Sequence, residues 1–197
     1  MRIICFFIIF FNASFLYSQN FDAGLIAGFN FSQVGGDDLS GFNEFGFILG
    51  GSSSIKIKNT TYEFELLYVD KGSRDTTSNT SDEGYQYKIK LRYLEVPILC
   101  KWEIYNNIFV GAGSSIGFLL KGKEEDANGT IPNTVDFNKF DISALIELGY
   151  SHSKKIYFFS RFENSIFPMR PHASGAKFKL NKGQYNTVLM LGIKYII

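Results

Sequence analysis

The stretch from Tyr87 to Trp102, YKIKLRYLEVPILCKW, constrains the fold more than any other part of the chain. Apolar and charged side chains alternate along its first half, and a period of two residues is typical of a β-strand whose faces meet different environments. In the second half the apolar residues take the other parity, so the pattern shifts by one residue near Leu94 and Glu95, just before Pro97. A one-residue slip turns every later side chain to the opposite face, and proline is tolerated at bulges. The pattern therefore predicts one long strand that contains a β-bulge.

The same stretch resembles a known family. The run Leu91–Leu99, LRYLEVPIL, is similar to the "YLEVPLLLK" strand of the PorT-like outer-membrane β-barrel family of Bacteroidetes. Further matching stretches are Gly28–Ser32, the segment Glu65–Gly72 and Leu191–Tyr195. The resemblance covers nearly the whole chain after the first residues and implies an outer-membrane barrel. The namesake is linked to protein export across the outer membrane, but the shared residues are strand residues, so the resemblance carries the architecture and not that role.

Residues 1–18 are typical of a secretory signal peptide. Arg2 provides the charged start, residues 3–11 form an apolar run, and the segment ends at the small residue Ser18. The run is shorter than the roughly 20 apolar residues that a transmembrane helix needs. We therefore assign residues 1–18 to a signal peptide and residues 19–197 to a single transmembrane β-barrel domain.

Charge and cysteine content exclude several classes of function. Removing Arg2 from the 20 basic side chains leaves 19, which equals the number of acidic ones, so the exported chain is formally neutral. Neutrality predicts no basic surface for nucleic acid or for anionic lipid. Cys5 leaves with the signal peptide, and Cys100 alone forms no internal disulfide. The position of Cys100 in an apolar strand face predicts a small hydrophobic side chain, with a reactive thiol as the alternative.

Connections of alternating length indicate how the strands are arranged. Period-two patterns predict about eight strands between residue 19 and Ile197. The long polar connections are Gly35–Asn43, Lys71–Glu83, Lys121–Asn138 and Phe167–Gly183, and the short ones are Lys58–Thr60, Tyr105–Asn107 and Ser151–Lys155. Tight periplasmic turns and extended extracellular loops are typical of outer-membrane barrels, as is an aromatic content as high as the 17% found here. We predict an all-β fold, a single closed antiparallel up-and-down barrel of outer-membrane type, in which the last strand pairs with the first.

The face opposite the apolar one would line the barrel interior. Its charged candidates are Glu63, Glu65, Lys88, Lys90, Arg92, Asp141, Glu147, Arg161 and Glu163. An eight-stranded barrel is just wide enough for side chains to fill, so we interpret these residues as an ion-pair network that plugs the interior. In it, Glu63 and Glu65 would face the cations of the neighbouring strand. The alternative, a selective conduit or a ligand pocket, needs a wider lumen.

Catalytic and metal-binding residues are scarce. His152 falls in a short turn and His172 in the last long loop, so we expect them at opposite ends of the barrel. No spacing indicates a metal or a cofactor. His172 and Ser174 could serve as base and nucleophile, but no third partner is evident, and we expect no enzymatic activity.

Two functions agree with these patterns. The first is a small monomeric barrel in the outer-membrane bilayer, with a structural role or with protein partners reached through the long loops. The second is a secreted, soluble, lipocalin-like barrel that encloses a hydrophobic ligand, because periodicity does not say which face lies inside.

Overall fold

The computed structural model describes residues 21–36, 41–74, 87–126, 129–131, 136–171 and 183–197. The strands are β1 (Phe21–Gly35), β2 (Glu44–Ile57), β3 (Thr60–Arg74), β4 (Lys88–Tyr105), β5 (Ile108–Asp126), β6 (Gly129–Thr130), β7 (Phe140–Ser151), β8 (Ile156–Ser165) and β9 (Tyr185–Ile196). The predicted signal peptide lies outside the described residues. Among the described residues, no helix is long and apolar enough to cross a membrane.

Eight of these strands close into one antiparallel barrel. Each strand pairs with its neighbours in the order β1, β2, β3, β4, β5, β7, β8 and β9, and β9 pairs back with β1. The short strand β6 only extends one edge of β5. Closure leaves no unpaired sheet edge among these eight strands, which is what a sheet surrounded by lipid requires. The predicted fold class is confirmed.

The seam between β1 and β9 is very tight. Gly28 lies opposite Gly192. A Cβ atom on Gly28 would lie 2.3 Å from the carbonyl oxygen of Leu191 and 2.7 Å from the Cα of Gly192. Since no side chain fits at such distances, glycine at position 28 allows the two strands to approach each other.

Apolar side chains cover the outside of the barrel. Leu49, Ile98 and Ile146 are 64%, 54% and 61% exposed, respectively. The inward-facing residues of the same strands include Glu95 and Glu147, which are buried. A soluble lipocalin-like barrel would have the opposite arrangement, so the hypothesis of an enclosed hydrophobic ligand is wrong.

Strand β4 keeps a single phase along its length. Its odd-numbered residues from Ile89 to Lys101 are all buried, so the bulge predicted near Leu94 and Glu95 is wrong. The extra residue lies in β5 instead, at Leu120, because Arg92 pairs with Lys121 and Tyr93 pairs with Leu119.

The environment around β4 changes along the strand, and this change explains why the apolar residues switch parity in the sequence although the strand does not slip. Near the start of β4 the inward residues Ile89, Leu91 and Tyr93 are apolar and pack against Val34 and Met169. Their outward neighbours there are charged. Further along the strand the outward residues are apolar. The first part therefore follows the rule of a soluble protein, and the second part follows the rule of a membrane barrel.

The two ends of the barrel differ. The turn end carries the short connections 58–59, 106–107 and 152–155, and the loop end carries the connections 36–43, 75–87, 127–139 and 166–184. At the turn end Lys58, Asn106 and Asn107 have positive φ angles. Asparagine tolerates this conformation better than most residues do, which favours the tight turn at 106–107.

Candidate functional site

A group of charged side chains fills the barrel near the turn end. This turn-side cluster consists of Glu63, Glu65, Lys101, Glu147, Arg161 and Lys194, which come from β3, β4, β7, β8 and β9. All six residues are buried. The alternation of each strand points them inward, and the closed sheet brings them together across the interior.

Arg161 is the centre of the turn-side cluster and is fully buried, with a relative exposure of 0%. Its Nη1 and Nη2 atoms donate to Oε2 and Oε1 of Glu65 at 2.7 and 2.9 Å. Its Nε and Nη2 atoms donate to Oε2 of Glu147 at 3.0 and 2.6 Å. The planar guanidinium group matches the geometry of a carboxylate and binds both oxygens of Glu65. It therefore ties β8 to β3 on the far side of the lumen and to its neighbour β7.

The remaining charges of the turn-side cluster are also paired. The Nζ atom of Lys101 lies 3.0 Å from Oε1 of Glu63 and 2.6 Å from Oε1 of Glu147. Lys194 also forms an ion pair with Glu63. The cluster holds three carboxylates and three cations, so its charges balance. Such pairing offsets much of the cost of removing the charges from water.

A second group lies nearer the loop end. In this loop-side cluster the Nζ atom of Lys71 lies 2.5 Å from Oε1 of Glu95 and 2.8 Å from Oε1 of Glu163. The side-chain amide of Asn186 donates to Oδ2 of Asp141 at 2.7 Å. All five residues are buried. The polar filling thus continues along the interior beyond the turn-side cluster.

Residues from the loops close the interior at the loop end. Arg170 forms an ion pair with Glu124, and its Nε atom donates to Oε1 of Gln184 at 2.5 Å. The hydroxyl of Tyr87 donates to Oε1 of Glu124 at 2.5 Å. Burial and this hydrogen bond raise the pKa of Tyr87 to about 12. Met169, which precedes Arg170, is fully buried in the apolar group beneath.

A vestibule of about 160 Å³ opens at the turn end, and its lining includes Glu63, Lys101, Tyr157 and Lys194. Arg161 is fully buried and is not among the residues that line this vestibule.

The structure separates the predicted interior residues into two groups. The residues that it brings inside are Glu63, Glu65, Asp141, Glu147, Arg161 and Glu163. Lys90 and Arg92 instead face outward near the loop end, so their predicted pairing with Glu63 and Glu65 is wrong. Lys88 is also separate from the two clusters, because its Nζ atom lies 2.9 Å from Oε1 of Glu44 at the loop end.

Sequence reasoning missed four charged residues of the two clusters, which are Lys71, Glu95, Lys101 and Lys194. Glu95 and Lys101 share the parity of the buried positions of β4, and that signal could have identified them. The sequence predicts a loop at Lys71, but β3 continues to Arg74. Lys194 lies in β9, where the alternation of apolar residues gives a clear outward face but no sign that this lysine is paired inside the barrel.

The metal and catalytic candidates lie only partly within the described residues. Among the described residues, no group of three or more His, Cys, Asp or Glu residues could hold a metal ion. The ring of His152 lies at the turn end, 6.4 Å from the ring of Tyr150 and 6.3 Å from that of Phe158. His172 and Ser174 lie outside the described residues.

Comparison with known proteins identifies the family. The model of the outer membrane protein beta-barrel domain matches residues 15–170, which is most of the chain. The chain belongs to this family. As a member of the outer membrane protein beta-barrel domain family, it is a protein of the outer membrane, and its exposed apolar surface is the surface that contacts lipid.

Solved structures show the same fold. Ail, the attachment invasion locus protein of Yersinia pestis, is similar with a TM-score of 0.50 and 14% sequence identity, over 89% of this chain and 99% of Ail. That structure contains the heparin analogue sucrose octasulfate. Neisserial surface protein A is similar with a TM-score of 0.52 and 10% identity, over 89% of this chain and 97% of the other. Among curated proteins, none matches this chain.

Proposed function

We propose that this chain is a small outer-membrane barrel with a plugged interior, and that its extracellular loops bind partners. The observation that carries the first part is the position of Arg161, which is fully buried between Glu65 and Glu147 from opposite sides of the lumen. The second part rests on the sorting of long connections to one end of the barrel.

A plugged interior agrees with the size of the barrel. Eight strands leave an interior that side chains can fill, and here they do so with paired charges that are costly to separate. The closing contacts of Arg170 at the loop end add a second obstruction. A hydrated ion would therefore have to break several buried ion pairs to cross.

Conductance across a planar lipid bilayer tests the plug. We expect no current steps from the wild-type barrel. A variant with Glu65→Ser, Glu147→Ser and Arg161→Ser should give current steps, because it removes the pairs that span the lumen and makes the net interior charge more positive by only one. The matched control, Asp70→Ser with Arg92→Ser, removes an ion pair on the outer wall and should stay silent. Steady current steps from the wild type would show that the interior conducts.

The loops are the surface that we propose for partner binding. Extended loops on a rigid barrel are typical carriers of binding residues, and Ail, a barrel of the same fold, contains a sulfated sugar analogue in its solved structure. A photo-reactive amino acid placed between residues 75 and 87 should give cross-linked products of defined mass in intact cells. The same probe at Lys154, at the turn end, is the control. Equal products from both positions, or none from the loop, would contradict a partner-binding role for the loops.

Signal-peptide cleavage, oligomeric state and family group complete the proposed function. We infer cleavage after Ser18, a monomeric barrel without cofactor or catalytic activity, and membership of the PorT-like group, supported by the motif Leu91–Leu99. N-terminal sequencing of the membrane-extracted protein should begin at Gln19. A start at Met1 would contradict the signal peptide.

A further inference from the structure

Four cationic side chains lie together on the outer wall of the barrel near the loop end. We call them the β4–β5 basic patch, which consists of Lys90, Arg92, Lys121 and Lys123. The register places Arg92 opposite Lys121 and Lys90 opposite Lys123. Like charges directly opposite each other on paired strands are destabilising. An anion bound between these side chains would therefore stabilise this part of the sheet.

The bulge at Leu120 is what turns the two lysines of β5 outward. The inward residues of β5 before the bulge are odd-numbered, as at Ser115 and Gly117, and after it the buried residue is Glu124. If β5 held Leu120 in regular alternation, with no bulge, Lys121 and Lys123 would point into the barrel. Bulges commonly redirect side chains in this way. The local sheet geometry thus creates the patch.

Among the described residues, two carboxylates form ion pairs with the four cations of the patch. The Nζ atom of Lys90 lies 2.7 Å from Oε2 of Glu125, and the Nε atom of Arg92 lies 3.3 Å from Oδ1 of Asp70. Two carboxylates facing four cations leave a net charge of +2. The side chains of Lys90 and Arg92 remain 45% and 53% exposed. Together with Glu125, the four cations line a depression of about 110 Å³.

The patch adjoins the surface that contacts lipid. One row nearer the turn end, the register places Tyr68, Leu94 and Phe118 side by side on the outside. An aromatic belt marks the boundary between the hydrocarbon region and the headgroups in membrane barrels. The basic patch therefore lies at the depth of the headgroups, on the side wall and not at the tips of the loops. That depth favours a lipid over a soluble ligand.

We propose that the β4–β5 basic patch binds the phosphate groups of anionic lipid headgroups at the loop end of the barrel. Each cation near an anionic membrane surface contributes about 1 kcal/mol of attraction. Loss of two lysines should therefore weaken binding about 30-fold, since about 1.4 kcal/mol corresponds to a factor of ten.

The test uses the full barrel in lipid nanodiscs of two compositions, phosphatidylcholine alone and phosphatidylcholine with phosphatidic acid. Phosphatidic acid should raise the midpoint of thermal unfolding of the wild-type barrel and should be retained on it in native mass spectrometry. The Lys121→Gln/Lys123→Gln variant should lose most of both effects. The Lys121→Arg/Lys123→Arg variant keeps the charge and should retain them.

A matched control removes two lysines elsewhere. Lys154→Gln/Lys155→Gln lies in the turn 152–155, at the other end, and should behave like the wild type. Equal retention of phosphatidic acid by the wild type and the Lys121→Gln/Lys123→Gln variant would overturn the proposal. So would a response of the wild type in pure phosphatidylcholine to inorganic phosphate or sucrose octasulfate that exceeds its response to phosphatidic acid, because the patch would then bind a soluble anion.

Discussion

At the scale of single residues, burial determines how much an ion pair matters. Arg161 and Arg92 each face a carboxylate, but Arg161 is completely enclosed and Arg92 is half exposed. Water and salt screen the exposed pair, which makes it weak. In the interior the loss of one partner leaves the other charged and unpaired, which is far more costly.

Replacement of Arg161 tests this difference. Arg161→Ala should lower the free energy of unfolding by about 3–5 kcal/mol, because Glu65 and Glu147 would both lose the buried guanidinium group that they share. Arg92→Ala is the control and should cost about 1 kcal/mol or less. Urea unfolding in lipid vesicles, followed by tryptophan fluorescence, gives both values. Similar losses for the two variants would show that the interior is well hydrated.

The sequence predicted several of the charged residues inside the barrel but not the residues that form ion pairs with them. Parity alone placed Glu63, Glu65 and Arg161 inside, because their strands keep one phase. It could not show which cations face them, since Lys101 and Lys194 come from strands that only closure of the barrel brings near Glu63. The predicted partners Lys90 and Arg92 lie on the outside of β4, one row beyond the apolar residues that face hydrocarbon.

At the scale of the strands, the bulge in β5 determines the side of the sheet on which Lys121 and Lys123 lie. The bulge at Leu120 lets β5 continue beside β4 while it reverses the parity of the following residues. The alternation in β4 suggested a bulge there, although the pattern arises from a change of surroundings. The sequence of one strand cannot distinguish a β-bulge from a change in the surroundings of its two faces, because both switch the parity of the apolar residues. The register with the neighbouring strand distinguishes them.

Deletion of Leu120 should remove the bulge. Lys121 then follows Leu119 directly, so Lys121 and Lys123 still face outward and Glu124 keeps its ion pair with Arg170. We therefore expect the deletion variant to keep most of the folded, heat-modifiable band on gels. Leu120→Ala keeps the bulge, and this control should leave that band intact as well. Loss of the band in the deletion variant alone would show that the loop end of β5 requires the bulge.

The seam between β1 and β9 gives a second prediction at this scale. Gly28→Ala should destabilise the barrel by about 1–3 kcal/mol, because the new methyl group meets the backbone of β9 at 2.3 Å. Gly51→Ala is the control, since a Cβ atom on Gly51 would lie 3.5 Å from the carbonyl oxygen of Gly24, which is an ordinary contact distance. Urea unfolding in vesicles measures both. Equal stability of the two variants would indicate a looser seam.

At the scale of the whole molecule, composition predicted the outer-membrane location correctly but did not predict the distribution of charge on the surface. Aromatic content and alternating connections predicted a barrel of the outer membrane, and the family match and the fold agree with that. The formal neutrality of the chain predicted no basic surface. Neutrality is an average over the chain, and it does not exclude a local group of cations such as the β4–β5 basic patch.

The closed barrel should be evident on gels. The protein extracted from membranes in mild detergent should migrate differently before and after boiling, because a closed sheet resists unfolding by detergent alone. The Arg161→Ala variant should lose this difference at a lower temperature than the wild type does. Recovery of the protein in the soluble fraction, with one mobility throughout, would contradict a membrane barrel.

The β1–β9 seam also determines how the chain must assemble. The turns at 58–59, 106–107 and 152–155 join neighbouring strands, so their hairpins need only short-range encounters. The pairing of Gly28 with Gly192 joins opposite ends of the chain and has the largest entropic cost of closure. Until it forms, Glu63 lacks Lys194, and the charged interior is open on one side. Seam formation is therefore the step at which the nascent sheet ceases to be an open amphipathic surface, and it sets the time during which the chain is vulnerable to proteases and to aggregation.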